Sequence, residues 1–434
     1  MANNISGAGN IQDFTLNSAE GVTLNSAESK KSVDISALVV DYRYYESILS
    51  NAYTSSAIIV ETGNGGDGKG ILDSLPVRGG ESTKIIIEDN YGESISVPLF
   101  VNKVRDGIPG TQKDIYVIDF SSAEHFHNQE SRIVERYEGK ISDHVESILK
   151  EKLKVTGELD VDDTSLEYNF HGNNRKPFYT CTWLASKAVP AEGVGNAAGF
   201  LFFQTRDGMH FKSIDNLFGK GKPVKKFTYN NTGNPVAGKE GQIISYTIES
   251  DTEVHKNMNL GTYNNRTMFF DFYAMNYKVV DYNIEKQKGG TKNAAREADF
   301  TSKQFTQQPT RMLELIHDIG VNPKGSGNDQ LDNWKKDPEN TNFKAEDTLA
   351  QSMMRYNQLF TVKTNILIPG DFKIKAGDLI ECDFPELEDG NPTNENKQTG
   401  GIYMVAHVCH KITQQECLTS LGLIRDSYGK KGGF

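Results

Sequence analysis

The sequence predicts a mainly β chain with an α+β insertion. Three observations carry that expectation. Short runs with a period of two, separated by Gly and Asn turns, fill the chain up to Phe120 and return between Phe360 and Arg425. Between them, apolar residues shift to helical spacing. The aromatic complement is 22 Phe and 18 Tyr against 2 Trp, a balance that suits sheet faces and interfaces.

Residues 1–31 are rich in Asn, Gly, Ser and Ala and cannot bury enough apolar surface to offset the entropy of ordering them. They read as a flexible arm or interface tail. Strand patterns follow at 33–35 and 37–40, and the polar aromatic segment 42–49 reads as a short helix. Further strands are expected at 56–61, 82–89, 94–104 and 113–120, with an Asn90-Tyr91-Gly92 turn between two of them. Strands so spaced make an antiparallel barrel or sandwich over roughly the first 118 residues. The glycine cluster 63–70 is not a phosphate loop, because Lys69 is followed by Gly70 and Ile71 rather than by Ser or Thr and a helix. It reads as a hairpin tip.

After Phe120 the residues Ile133, Val134, Tyr137, Ile141, Val145, Ile148 and Leu149 fall at helical spacing, which predicts one long amphipathic helix or two over 129–153, weakest at Gly139. A second helix is expected at 177–188, with Phe178, Trp183, Leu184, Ala185 and Ala188 facing inward. A hairpin follows around Arg206-Asp207-Gly208. Residues 220–240 form a basic connector, 243–257 are open between strand and helix, and 266–283 read as long strands. Polar loops occupy 285–297 and 318–342, the latter with Trp334 as a possible interface anchor. A helix at 346–359 then leads to closing strands at 360–368, 379–384, 401–411 and 416–425. Pro369-Gly370 and Lys375-Ala376-Gly377-Asp378 set turns between these strands, so Pro369, Gly370, Gly377 and Asp378 are expected to fix strand register.

Composition excludes several functions. With 47 Lys+Arg against 58 Asp+Glu the formal charge is −11, so a basic nucleic-acid binder is not expected. No apolar run reaches the ~20 residues of a membrane span. The first ten residues lack a secretory pattern, which predicts a soluble chain made in a cytoplasm. Cys181, Cys382, Cys409 and Cys417 match no zinc or disulfide spacing and read as reduced, buried small hydrophobes. His125 and His127 make an HxH pattern that in a strand would point two ligands one way, but a polar surface turn is the favoured reading. His407 and Cys409 share one strand face and His410 the other, so a metal cluster using all three fails by geometry. No nucleophile elbow is present, and paired carboxylates for sugar hydrolysis are left to geometry.

The runs 354–360, Ile368-Pro369-Gly370-Asp371 and Lys375-Ala376-Gly377-Asp378-Leu379-Ile380, with 401–410 and 419–425, resemble the C-terminal barrel of baseplate central hub proteins of contractile-tailed phages. That family is shared with the N-terminal regions of type VI secretion spikes. The segment 202–215 is similar to part of the family's inserted mixed domain. The resemblance implies two small antiparallel tube-type β-barrels plus a mixed α/β domain. The expected division is 1–118 for the arm and first barrel, 119–257 for the insertion, 258–290 for strands of the second barrel, 291–354 for peripheral loops and helices, and 355–434 for the remainder. It also implies a homotrimer whose six barrels form a ring between a sixfold tail tube and a threefold spike, with an axial channel for DNA. Its partners would be the trimeric spike protein, the tube or a tube initiator, and surrounding baseplate wedge proteins. Its place would be the virion tail, after assembly in the host cytoplasm. No catalytic residue, cofactor or metal is implied. The competing reading is a tail-associated cell-wall hydrolase or carbohydrate-binding module.

Overall fold

The computed structural model describes residues 9–17, 32–62, 77, 79–109, 113–191, 197–220, 222–229, 241–250, 254–271, 275–283, 292–294, 307–316, 328–329, 332, 345–386, 396 and 398–429. The expected hairpin tip at 63–70, most of the loop at 285–297 and Trp334 lie outside them.

The chain opens with seven strands: β1 (Asn10–Asn17), β2 (Ser32–Asp34), β3 (Val39–Ser47), β4 (Thr54–Glu61), β5 (Ser82–Glu88), β6 (Ser94–Pro109) and β7 (Asp114–Ser121). Their burial alternates, so that Tyr42 and Tyr44 of β3, Ala57 and Ile59 of β4, and Ile85 and Ile87 of β5 enter one core with Phe14 and Phe120. The helix expected at 42–49 is therefore a strand. A run of two tyrosines and a glutamate at alternate positions inserts three side chains on one sheet face, which a helix would have splayed apart.

The mixed region comprises α1 (Ala123–Glu130), β8 (Arg136–Tyr137), α2 (Ile141–Glu151), β9 (Glu158–Val161), β10 (Phe170–His171), α3 (Pro177–Ala185), β11 (Phe200–Thr205), β12 (Gly208–Ser213) and α4 (Ile214–Lys220). Of the one long helix or two expected over 129–153, the structure has the last two residues of α1 and then α2, while 131–140, with Ile133, Val134 and Tyr137, are not helical. Gly139, with φ +121°, turns the chain into α2 instead of lying within it. Ile141, Val145, Ile148 and Leu149 of α2 pack on Phe178, Cys181 and Leu184 of α3 and on Phe200 and Phe211 of the β11–β12 hairpin. Strand β9 joins β12 in parallel, and a Cβ on Gly208 would lie 2.0 Å from the Glu158 carbonyl, so only glycine permits that approach.

The remainder contains β13 (Lys225–Tyr229), β14 (Gln242–Ile243), β15 (Ser245–Ser250), α5 (Val254–Asn259), β16 (Asn264–Asp271), β17 (Asn276–Asn283), β18 (Arg311–Ile316), α6 (Ala345–Leu359), β19 (Val362–Pro369), β20 (Leu379–Asp383), β21 (Gly401–Thr413) and β22 (Cys417–Arg425). Strands β17, β16 and β18 form a separate three-stranded sheet. The others pack around Phe227, Ile366, Ile368, Ile380, Tyr403, Leu421 and Leu423.

Two separate β-barrels were expected, and they are not found. The strands at the two ends of the chain belong to one fourteen-stranded sheet in the order β14-β13-β20-β21-β3-β4-β7-β6-β5-β1-β2, with β22, β19 and β15 branching from β21. No sheet closes into a barrel among the described residues, and the fold is a mixed α/β one with several sheets. The cause is β21, which is 13 residues and so about 44 Å long. One of its edges bonds β20 over Gly401–Met404 and then β3 over His407–Thr413. A bulge between Val405 and His407 marks the change of partner, where Ile48 N–H donates to the Ala406 carbonyl at 2.9 Å. Period-two patterning locates strands but does not say that one strand borders two groups.

Candidate assembly site

Residues 370–378 link β19 to β20 without regular structure. Pro369 ends β19 opposite Leu418, a position suited to a residue with no N–H. Gly370 N–H donates to the Cys417 carbonyl at 2.9 Å, and a Cβ there would sit 2.2 Å from Cys417 Sγ. Asp371 N–H donates to Thr419 Oγ1 at 3.1 Å, while its buried carboxylate pairs with Lys225 Nζ at 2.5 Å. Phe372 N–H donates to Asp89 Oδ2 at 2.9 Å. The other oxygen of Asp89 accepts the N–H groups of Tyr91 and Glu93 in the β5–β6 turn, at 2.7 and 2.9 Å. This single buried carboxylate joins the first strand group to the strap.

The far end of the strap is held by Glu46 and Arg206. Glu46, 2% exposed on β3, accepts from Ala376 N–H at 3.1 Å, Arg206 N–H at 2.9 Å and the Tyr44 hydroxyl at 2.8 Å. Arg206, in the β11–β12 turn, donates to the Phe372 and Ile374 carbonyls, and neighbouring Asp207 pairs with Lys375. Lys375 N–H donates to the Asp378 carboxylate at 2.9 Å, closing the turn, and burial raises that carboxyl above the usual aspartate range. Gly377 has φ +91°, donates to the Val405 carbonyl at 2.9 Å, and has Phe203 Cζ 2.9 Å from where its Cβ would be. Pro369, Gly370, Gly377 and Asp378 are thus brought together on one strap that spans both strand groups and the mixed region.

Beneath the strap lies His410, fully buried, with Phe372 edge-on at 4.7 Å and Tyr44 stacked at 6.1 Å. Its Nδ1 is 2.9 Å from Thr419 Oγ1. Burial, helped by the nearby Arg206 charge, pushes its pKa down to about 3, so the ring is neutral.

A second junction was missed at the sequence level. Arg355 of α6 is 1% exposed; its Nε meets Asp215 of α4 at 2.9 Å and its Nη1 meets Asp426 at 2.5 Å. Its Nη2 donates to the Lys292 carbonyl at 2.5 Å. Burial raises the Asp215 carboxyl, partly opposed by the Arg355 charge. The available signal was an arginine between the apolar Met353, Met354, Tyr356 and Leu359 of a predicted helix. Such a residue is buried only if it is paired.

The histidine candidates separate. His125 and His127 lie on α1 rather than a strand, so two positions apart they point to different sides. His407 is exposed on the sheet, whereas His410 is in the core. Among the described residues no three His, Cys, Asp or Glu side chains are grouped to hold a metal. One hydroxyl–imidazole–carboxylate relay exists: Thr205 Oγ1 is 2.8 Å from His210 Nε2, and His210 Nδ1 is 3.2 Å from Asp160 Oδ2. The His210 hydrogen bond and the Lys212 ammonium hold the Asp160 pKa near 2, against the cost of its burial. Thr205, however, is 1% exposed, and the relay ties β9 to the hairpin instead of presenting a nucleophile.

No family model matches the chain, and no curated protein does. Solved structures do. A tail protein from Neisseria meningitidis MC58 is similar over 95% of this chain and 97% of its own, at 11% identity and a TM-score of 0.55. The 43 kDa tail protein of prophage MuSo2 from Shewanella oneidensis is similar over 95% and 98%, at 8% identity and a TM-score of 0.52. The chain has the fold of these tail proteins. The lidded Francisella PdpA-VgrG complex is more distant, with a TM-score of 0.48 at 9% identity over 100% of this chain and 55% of that one, too weak a likeness to bear on function.

Proposed function

We propose that the chain is a structural component of a phage tail baseplate, acting by shape and buried surface rather than by a chemical step. One observation carries this reading: the likeness to two tail proteins extends over nearly the whole of each chain, so it concerns the full architecture and not one module. The strap is in keeping with it. Its hydrogen bonds and ion pairs fix the mutual orientation of the two strand groups and the mixed region, which a ring component needs at its subunit contacts.

In its finer form the proposal is a hub: a homotrimeric ring set between the sixfold tail tube and a threefold spike, contacting wedge proteins outside and leaving an axial channel for DNA. With a formal charge of −11, such a channel would pass DNA without sequence-specific binding. Pro369, Gly370, Gly377 and Asp378 are proposed as the residues that fix the strap. The mass of the purified chain, measured alone and with a candidate trimeric spike protein, tests the proposal. A trimer in either sample supports it, and a monomer in both overturns the ring. Clearing of isolated cell walls by the chain alone would overturn the non-catalytic reading.

A further inference from the structure

The sheet of β17, β16 and β18 is packed by this chain's helices on one side. There Phe269, Val280 and Leu315 share a core with Leu349 of α6, and Tyr282 shares one with Met354. The strand register puts Met268, Phe270, Tyr277, Val279, Met312 and Ile316 together on the opposite face. Met312 is 65% exposed, Ile316 72% and Tyr277 63%. An apolar patch of this kind marks an interaction surface. The pairing of β16 with β18 is parallel, and such pairs are normally covered on both faces.

Size and charge say what would cover it. Three strands span about 10 Å, and the six residues of β18 and eight of β16 run for about 20–26 Å. That is the footprint of a single α-helix of about four turns, and α6 on the reverse side, with 15 residues, is about 22 Å long. The charge comes from Glu314, which lies beside Met268 and between Met312 and Ile316 on the face. It is exposed and, among the described residues, has no cationic partner. The arginine of the face, Arg266, is already held by both oxygens of Asp281, at 2.6 and 2.7 Å. A second copy packed face to face would therefore bring two Glu314 carboxylates and no free cation into one dry layer, an arrangement that burial of charge disfavours. A partner with a lysine or arginine at that point meets the carboxylate instead.

We propose that this face docks an amphipathic helix of another protein, about four turns long, whose apolar stripe carries one basic residue opposite Glu314.

Two 18-residue helical peptides, identical except for a Lys or a Glu at the centre of a Leu/Ala stripe, provide the test. Each is titrated into the full chain and followed by fluorescence anisotropy. Saturable one-to-one binding of the Lys peptide is expected, at least about 5-fold tighter than that of its Glu twin. Glu314→Lys should abolish the preference, and Ile316→Asp should weaken both peptides by about 10-fold or more. Both positions are exposed, so the circular dichroism of the variants should match that of the wild type. No saturable binding, a preference unchanged in Glu314→Lys, or binding undiminished in Ile316→Asp would overturn the proposal. So would a sedimenting dimer that Ile316→Asp dissolves, which would assign the face to a second copy.

Discussion

Replacing Arg355 by Met tests the buried ion network most directly. The guanidinium holds two carboxylates that are themselves buried, Asp215 and Asp426, together with a backbone carbonyl of Lys292. Met fills much of the same volume, so the packing loss is small and the variant isolates the charge. What remains is two carboxylates out of water without their cation. Removing one partner of a buried pair costs about 3–5 kcal/mol, a large fraction of the stability of most domains. Urea unfolding at pH 7.5, with wild-type and variant compared at fixed m-value, reads the loss. The sign of its pH dependence is fixed by the same structure. Burial already raises the Asp215 carboxyl in the wild type. Without Arg355 it rises further, so the folded variant binds more protons than the unfolded chain above the ordinary aspartate pKa. Stability of the variant therefore falls as pH rises through that window, and the deficit should shrink between pH 7.5 and 5.0. Adding Asp215→Asn and Asp426→Asn should recover most of the loss. A deficit below about 1 kcal/mol, or one independent of pH, would refute the argument that uncompensated burial of charge is what the arginine prevents.

The other predictions concern the strap. His410, with its folded pKa near 3, contributes nothing above the ordinary histidine pKa, but stability is lost as pH falls below it because only the unfolded chain takes up the proton. That amounts to about 1.4 kcal/mol between pH 7.5 and 5.5, and His410→Asn should remove this share of the acid sensitivity in matched urea melts. Gly377→Ala forces φ +91° on a residue with a Cβ 2.9 Å from the buried Phe203 ring, and a loss of about 1–3 kcal/mol is expected by thermal or urea unfolding; a neutral result would mean that the turn can relax. Glu46→Gln exchanges an acceptor of three hydrogen bonds for a group with one acceptor and one donor facing donors. It should cost about 1.5–3 kcal/mol and expose residues 369–378 to proteolysis before global unfolding.

Much of the fold was legible because its strands alternate cleanly. Ile85 and Ile87 of β5, and Ile366 and Ile368 of β19, each face a core at every second residue. The β11–β12 hairpin was legible from Arg206-Asp207-Gly208, where the glycine is required by contact with Glu158. What could not be read were pairings between distant residues. Nothing in the spacing of β3 tells that His410 pairs with Tyr44, or that β21 exchanges β20 for β3 at Ala406. Of the expected turns at Pro369-Gly370 and Gly377-Asp378, Gly377 lies in a turn, whereas Pro369 is the last residue of β19 and Gly370 follows it. That Asp89 and Glu46 grip the segment between them was not legible, since each lies hundreds of residues away and looks like an ordinary surface acid in its own stretch of sequence. The Arg355 network was hidden for the same reason, with ligands at Asp215 and Asp426.

The uninterrupted run of β21 has a mechanical corollary. Since the same backbone borders β20 at one end and β3 at the other, no hinge peptide intervenes between the halves of the chain along that line. A torque applied to either half would be carried by a ladder of main-chain bonds loaded together. Along that line the two halves would turn as one stiff piece, like a spar.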